Sequence, residues 1–165
     1  LLLIGLRYFI IAGIAYLIWY IIRRRKIAFK KIQLRLPANK DYQREIFYSI
    51  LSIFIFSSVP YFLLKSSVRQ YTLFYDEIDK YGMLWFWFAF PVMLLVHDAY
   101  FYFTHRLMHH PKLFKWFHLI HHKSTNPSPW AAFAFHPLEA VIEVGIVVLF
   151  LFIIPICNLH LFFFY

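Results

Sequence analysis

Apolar residues run almost unbroken through four stretches of this chain, and the polar residues between them are cationic in one place, mixed in a second and rich in histidine in a third. Leu1 to Ile22, Ile46 to Leu64 and Tyr81 to Phe103 each approach the roughly 20 apolar residues that a helix rising about 1.5 Å per residue needs to cross a hydrocarbon core. Leu138 to Ile154 is a fourth stretch at the short limit. It stops at Pro155, and Leu161 to Tyr165 opens a return segment, so these two predict a helical hairpin. The third stretch does not stop at the hydrocarbon boundary: VHDAYFYFTHRLMHH continues without Gly or Pro as far as Pro111. At about 100° per residue, Asp98, Tyr102, His105 and His109 share a stripe about 60° wide on this helix, while His97 and His110 fall off it. The pattern predicts an all-α polytopic membrane protein of about four transmembrane helices. Residues 1–80 hold the N-terminal spans and their basic connection, and residues 81–165 form a histidine-bearing domain.

Composition sharpens this picture. Of 165 residues, 62% are hydrophobic, 23% aromatic and only 15% charged, which leaves a soluble domain with more apolar surface than it could hide. The single cysteine, Cys157, excludes an internal disulfide and a multi-cysteine zinc site. The net charge of +9 is unevenly placed. Nine Lys and Arg lie between Arg23 and Arg44, whereas the three from Lys65 to Lys80 are offset by Asp76, Glu77 and Asp79. Cationic connections are retained on the cytoplasmic side. The third span then returns the chain to that side, which puts His105 to His136 in the cytoplasm together with the basic loop. Charge set beside membrane spans, with no polar domain bearing stacking aromatics, argues against nucleic-acid binding. The first span carries its positive charges after the apolar run, unlike a cleaved signal peptide. The chain starts at Leu1 and stops inside an apolar run, so it reads as a fragment of a longer protein.

Chemistry is concentrated in three histidine elements: His105-x3-His109, His118-x2-His121-His122, and His136-Pro137-Leu138-Glu139. His105 and His109 stand one turn apart, about 6 Å along the axis. His118, His121 and His122 are spaced i, i+3, i+4, so a helix shows all three on one side. The connection through Pro111 is short enough to make the two elements neighbours. His136 precedes the proline that starts the next helix, with Glu139 in its first turn. Several imidazoles in a small volume repel when protonated and lack partners when neutral, whereas a divalent metal satisfies them together. The expected ligands are therefore His105, His109, His118, His121, His122 and His136. Asp98 lies about 10 Å from His105 along the axis, too far for contact, and is expected to orient a histidine of another helix. Tyr102 contacts the site or is structural. Arg106 pairs with Glu139 or with a lipid phosphate. His97, His110 and His160, outside the clusters, read as ordinary hydrogen-bonded residues.

Imidazole suits zinc, copper, iron and nickel, and one zinc needs only three or four ligands. Six histidines fit a dinuclear iron site instead. The motifs HDAYFYFTHRLMHH and FHLIHHKSTNPSPWAAFAFHPLEA, covering about Asp98 to Ala140, resemble the fatty acid hydroxylase superfamily of membrane di-iron oxygenases, especially its sterol desaturase branch. The resemblance implies that His105, His109, His118, His121 and His122 ligate iron and that His136 joins them, at a site of two non-haem irons using O2. It implies hydroxylation or desaturation of a bilayer lipid, sterol or fatty acyl, with electrons from a partner such as cytochrome b5 or a ferredoxin; no Gly-rich nucleotide fingerprint is present. The membrane is then endoplasmic reticulum or a bacterial inner membrane. The family's terminal HxxHH box is not found in this sequence, so its ligands are expected beyond Tyr165. A zinc-dependent membrane hydrolase stays open, with Glu139 or Glu143 as base although HExxH is absent, as does a non-enzymatic metal-binding or transport protein.

Overall fold

The structure is a computed structural model and describes residues 2–27 and 36–164. Residues 28–35 of the basic connection and Tyr165 of the expected return segment lie outside the described residues. Every regular element is helical among the described residues: α1 Leu2–Tyr16, prolonged by a π-helical turn Leu17–Ile22; α2 Arg24–Ile27; α3 Asn39–Lys65; α4 Gly82–Met108; α5 Pro111–Phe117; α6 Leu119–His122; α7 Pro137–Ile153; and α8 Asn158–Phe164. Two 3-10 turns, Ser67–Tyr71 and Pro129–Phe133, complete the set.

Three helices are long and apolar enough to cross a membrane: Leu3–Ile22, Asn39–Lys65 and Gly82–Met108. They turn large apolar side chains outward, among them Ile11, Phe62 and Leu84, the last 87% exposed. Such a surface suits lipid and not water, and it leaves the helix backbones satisfied internally. Both α3 and α4 overrun the apolar stretch that predicts them. Asp41 anchors the polar first turn of α3 by accepting from the Ala38 N–H at 3.0 Å, and α4 continues to Met108 as its unbroken helical pattern demands.

The fourth apolar stretch behaves differently. At 17 residues, α7 spans about 26 Å, and it buries Ala140, Val144, Ile146, Val147, Phe150 and Leu151. Apart from Glu139 and Glu143 its residues are apolar or small, and α7 packs against α3, α4 and α5 as a core helix. Phe56 of α3 and Met93 of α4 join it in one hydrophobic cluster. Gly145 admits the Tyr100 ring of α4, whose hydroxyl donates to the Ile142 carbonyl at 2.6 Å; a Cβ at Gly145 would overlap that hydroxyl.

At one end of the bundle, the segment after α3 is stitched to the end of α7: Leu73 N–H donates to Leu151 O at 2.8 Å and Tyr75 N–H to Ile156 O at 3.0 Å. The chain then turns back at Pro155 into α8. There His160, fully buried, accepts from the Cys157 N–H through Nδ1 and donates through Nε2 to Phe86 O at 2.9 Å. The opposite end gathers the ends of α1 and α4 and the starts of α3 and α7. Tyr20 donates to Pro127 O, and Arg44 to Lys123 O, so the described flanks of the basic connection meet the histidine elements at one end of the bundle.

Replacing Gly145 by Ala is expected to lower the thermal stability of the full-length protein in detergent, by about 1–3 kcal/mol as for other overpacked sites. Adding Tyr100→Phe removes the obstructing hydroxyl and should restore much of the loss; additive losses in the double variant would contradict this account.

Candidate metal centre

His118 sits at the junction of α5 and α6, where the backbone departs briefly from regular helix, and it is completely buried. It is the hub of the cluster. Its ring centroid is 4.5 Å from that of His105, 4.7 Å from His109, 5.1 Å from His121 and 4.7 Å from His122. Three short facts of sequence produce this meeting. His105 and His109 end α4 one turn apart, His110 caps α5 through Nδ1 with Pro111 at its first position, and α5 is a single helical segment of 7 residues that folds His118 back onto α4.

The nitrogen geometry fits a metal. His105 Nε2 and His109 Nε2 lie 3.1 Å apart. Ligand atoms of His105, His109 and His118 all fall within 4.8 Å of one another. Nitrogens bound at about 2.0–2.1 Å to one ion stand about 3–4 Å apart, so small side-chain adjustments suffice. His118 Nδ1 pairs with Glu139 Oε1 at 2.7 Å, and both side chains are buried. Burial pushes the Glu139 carboxyl up to about 8; once ionised, as a bound cation close by favours, it only accepts, so that Nδ1 carries the proton and Nε2 presents its lone pair. That Nε2 is buried with no hydrogen-bond partner, as is Glu139 Oε2. A buried, unpaired imidazole nitrogen beside two others is costly unless a metal binds it.

Electrostatics point the same way. Burial pushes His118 down to about 4, assisted by His109, and pushes His121 down to about 4, assisted by its histidine neighbours. His122 is lowered by burial and then by His118 and His109, and His136 by burial alone. The rings are therefore neutral at pH 7, the form that coordinates metal.

Not every expected residue joins the cluster. His121 and His122 do: His122 lies 5.0 Å from His109 between centroids, and His121 stacks on Phe135. His136 caps α7, its Nδ1 accepting from the Leu138 N–H at 3.2 Å, and is half-buried. Asp98 is exposed and contacts His97 at 3.3 Å, not a clustered histidine. Arg106 donates to Tyr102 at 3.1 Å, so it forms neither an Arg106–Glu139 pair nor a contact with the cluster, and Tyr102 is exposed. The reason lies in the edge of the α4 stripe that is packed. Met93 and Met108 are buried and Tyr100 reaches α7, so the inward face is centred on them, and only the His105 edge of the stripe lies next to it. Tyr102 and Asp98 are left turned outward.

One residue that sequence reasoning passed over is Glu45. It is fully buried in α3 and accepts from both the N–H and the hydroxyl of Ser128. Trp130 O accepts from Tyr8 and Ser49 at 2.8 and 2.9 Å. The N-terminal helices thus hold the segment that joins the second histidine element to the third. A lone acid at the edge of an apolar span was the available signal.

The fatty acid hydroxylase family pattern matches residues 90–165. A Delta(7)-sterol 5(6)-desaturase of Gibberella zeae is 40% identical over 86 residues, 52% of this chain and 26% of the relative. A second from the same fungus is 34% identical over 156 residues, 90% of this chain and 41% of the relative, and one from Leptosphaeria maculans is 31% identical over 158 residues, 92% and 41%. The chain thus spans from about a quarter to two fifths of the length of these relatives. No solved structure matches it. Residues 90–165 are thus similar to the fatty acid hydroxylase family, and these relatives carry the name of sterol desaturases.

Removing the Glu139 carboxylate by Glu139→Ala is expected to weaken metal affinity about 10–100-fold, the usual effect of losing a ligand's supporting hydrogen bond; chelator competition on the full-length protein measures it, and unchanged affinity would refute the role. In the metal-free protein, His118 and His121 should each contribute a loss of stability in acid. An unfolded histidine titrates near about 6.5, whereas His118 and His121 titrate near about 4 when folded. Between those values only the unfolded chain takes up these protons, so stability present above about pH 6.5 is lost as pH falls towards 4. Buried Glu139, pushed up to about 8, works against this by taking up a proton in the folded state, so the readout is a difference: between about pH 6.5 and about pH 4 the melting temperature should fall more, or rise less, in the unsubstituted protein than with His118→Gln and His121→Gln.

Proposed function

We propose that this chain forms the greater part of the metal centre of a membrane-bound non-haem di-iron oxygenase that hydroxylates or desaturates a lipid. The observation that carries this reading is the convergence of four imidazoles on His118, whose Nε2 is left free by the hydrogen bond between Nδ1 and Glu139. His105, His109, His118, His121 and His122 would hold the metal, with His136 close by in sequence at the start of α7. Two irons there would supply reductive activation of O2 and abstraction of hydrogen from an unactivated C–H bond.

The chain's own residues prepare that chemistry. Glu139 orients His118 and keeps its proton on Nδ1. Phe101 and Phe135 stack on His105 and His121 and shield their faces from water. Below these two rings a cavity of about 290 Å³ reaches towards the interior of the bundle, lined also by Phe56, Phe133 and Ile146. An apolar lipid group can lie there with its reacting carbon near the imidazoles. The similarity to proteins named as sterol 5(6)-desaturases favours a sterol substrate. Electrons would come from a separate carrier such as cytochrome b5 or a ferredoxin, reaching the site on the cytoplasmic side, which is where the cationic residues at that end of the bundle orient it. For a fungal-type sterol enzyme this membrane is the endoplasmic reticulum.

Metal analysis of the purified full-length protein should find about two irons per chain, with both metal and sterol oxidation lost when His121 and His122 are replaced by alanine. One zinc and no iron, with turnover persisting in the absence of oxygen, would sink the proposal.

A further inference from the structure

The cavity beneath the imidazoles contains an acid that the metal centre does not use. Glu143 lines it, one helical turn after Glu139 on α7, and so about 6 Å further from the cluster along the axis. The other polar residue of the lining, His97, is already engaged with Asp98 and with the rings of Phe101 and Phe164. Glu143 forms no hydrogen bond or ion pair with any described residue, while the surrounding walls are mostly phenylalanine. A carboxyl group in an apolar cavity of a membrane protein is expensive, and its acceptor oxygens call for a donor on whatever fills the cavity.

We infer that Glu143 is the specificity residue that accepts a hydrogen bond from a hydroxyl group of the lipid substrate, a few bonds from the carbon that reacts. The inference rests on the oxygenase reading above and deepens it. An acyl chain offers no donor near an internal carbon, and an ester offers only acceptors, so neither would satisfy Glu143. A sterol does: its ring hydroxyl is on C3, two bonds from C5. With the hydroxyl on Glu143, C5 and its neighbours lie on the side of the cavity that Phe101 and Phe135 roof, facing the imidazoles. The same contact fixes which carbon is presented, because a short ring system anchored at one end cannot slide by a carbon.

The test compares a sterol bearing a free 3-hydroxyl with its 3-O-methyl ether, which keeps the shape but cannot donate. Full-length enzyme, Glu143→Ala and Glu143→Gln are assayed for turnover and, separately, for equilibrium binding of each radiolabelled sterol. Wild type should favour the free sterol. In Glu143→Ala, kcat/KM and affinity for the free sterol should fall about 10–100-fold, as expected when a buried hydroxyl of the substrate is left without its partner. Values for the ether should stay within about twofold, and Glu143→Gln, which retains an acceptor, should keep much of the discrimination. Equal losses for both sterols in Glu143→Ala, or a wild type that does not discriminate between them, would overturn the role of Glu143 while leaving the oxygenase reading intact. A metal-loaded wild type that oxidises neither sterol but oxidises an acyl lipid would overturn the sterol assignment together with this one.

Discussion

The hydrogen bond between His118 and Glu139 is the constraint on which the arrangement depends. It joins the α5–α6 junction to the first turn of α7, it is buried on both sides, and it decides which nitrogen of His118 is left to bind metal. In a low-dielectric setting such a bond is strong when made, and costly to leave half made. Because His118 touches four other histidines, fixing this one ring fixes the centre of the cluster. The acid at the start of α7 also sits where the helix dipole favours negative charge, so its position serves two interactions at once.

The remaining architecture keeps that bond in place. Helix α7 is the apolar axis, with α3 and α4 against it, and Tyr100 meets it at the one position where glycine leaves room. On the other side, Glu45, Ser49 and Tyr8 hold the Ser128–Trp130 segment to α3 and α1. This segment links His122 to His136, and its backbone carbonyl and amide groups would otherwise be buried without partners. The N-terminal spans are therefore part of the scaffold of the site, beyond their role in the membrane. At the far end, His160 performs comparable work with no metal in prospect: each of its ring nitrogens is used, one by a backbone N–H and one by a carbonyl. The contrast with His118 shows what separates a structural histidine from a candidate ligand.

Helix periodicity and apolar length made the all-helical fold, the three long spans and the clustering of His105, His109, His118, His121 and His122 legible in the sequence, because each depends on spacing within one element or across a two-residue connection. Charge asymmetry likewise predicts the basic connection beside the histidine elements, and its described flank at Arg44 bonds Lys123 there. The roles of Asp98, Tyr102 and Arg106 were not legible in this way. A helical stripe says which residues share a face, but only the neighbours packed on that helix decide which edge of the face turns inward. The inward face is the one bearing Met93, Tyr100 and Met108, and it leaves Tyr102 to pair with Arg106.

By itself, then, the sequence determined the class of the protein, the helices and the ligand type, since hydropathy and i, i+4 spacing act locally. Tertiary structure alone decided that His118 is the hub, that Glu139 pairs with its Nδ1, that Glu45 ties down the connecting segment and that Glu143 lines the cavity below. Each of those outcomes is a meeting of groups 21 to 83 residues apart or of several helices around one space. Packing, and not local pattern, selects such partners, because the cost of burying a polar group is settled only by what the rest of the chain brings to it.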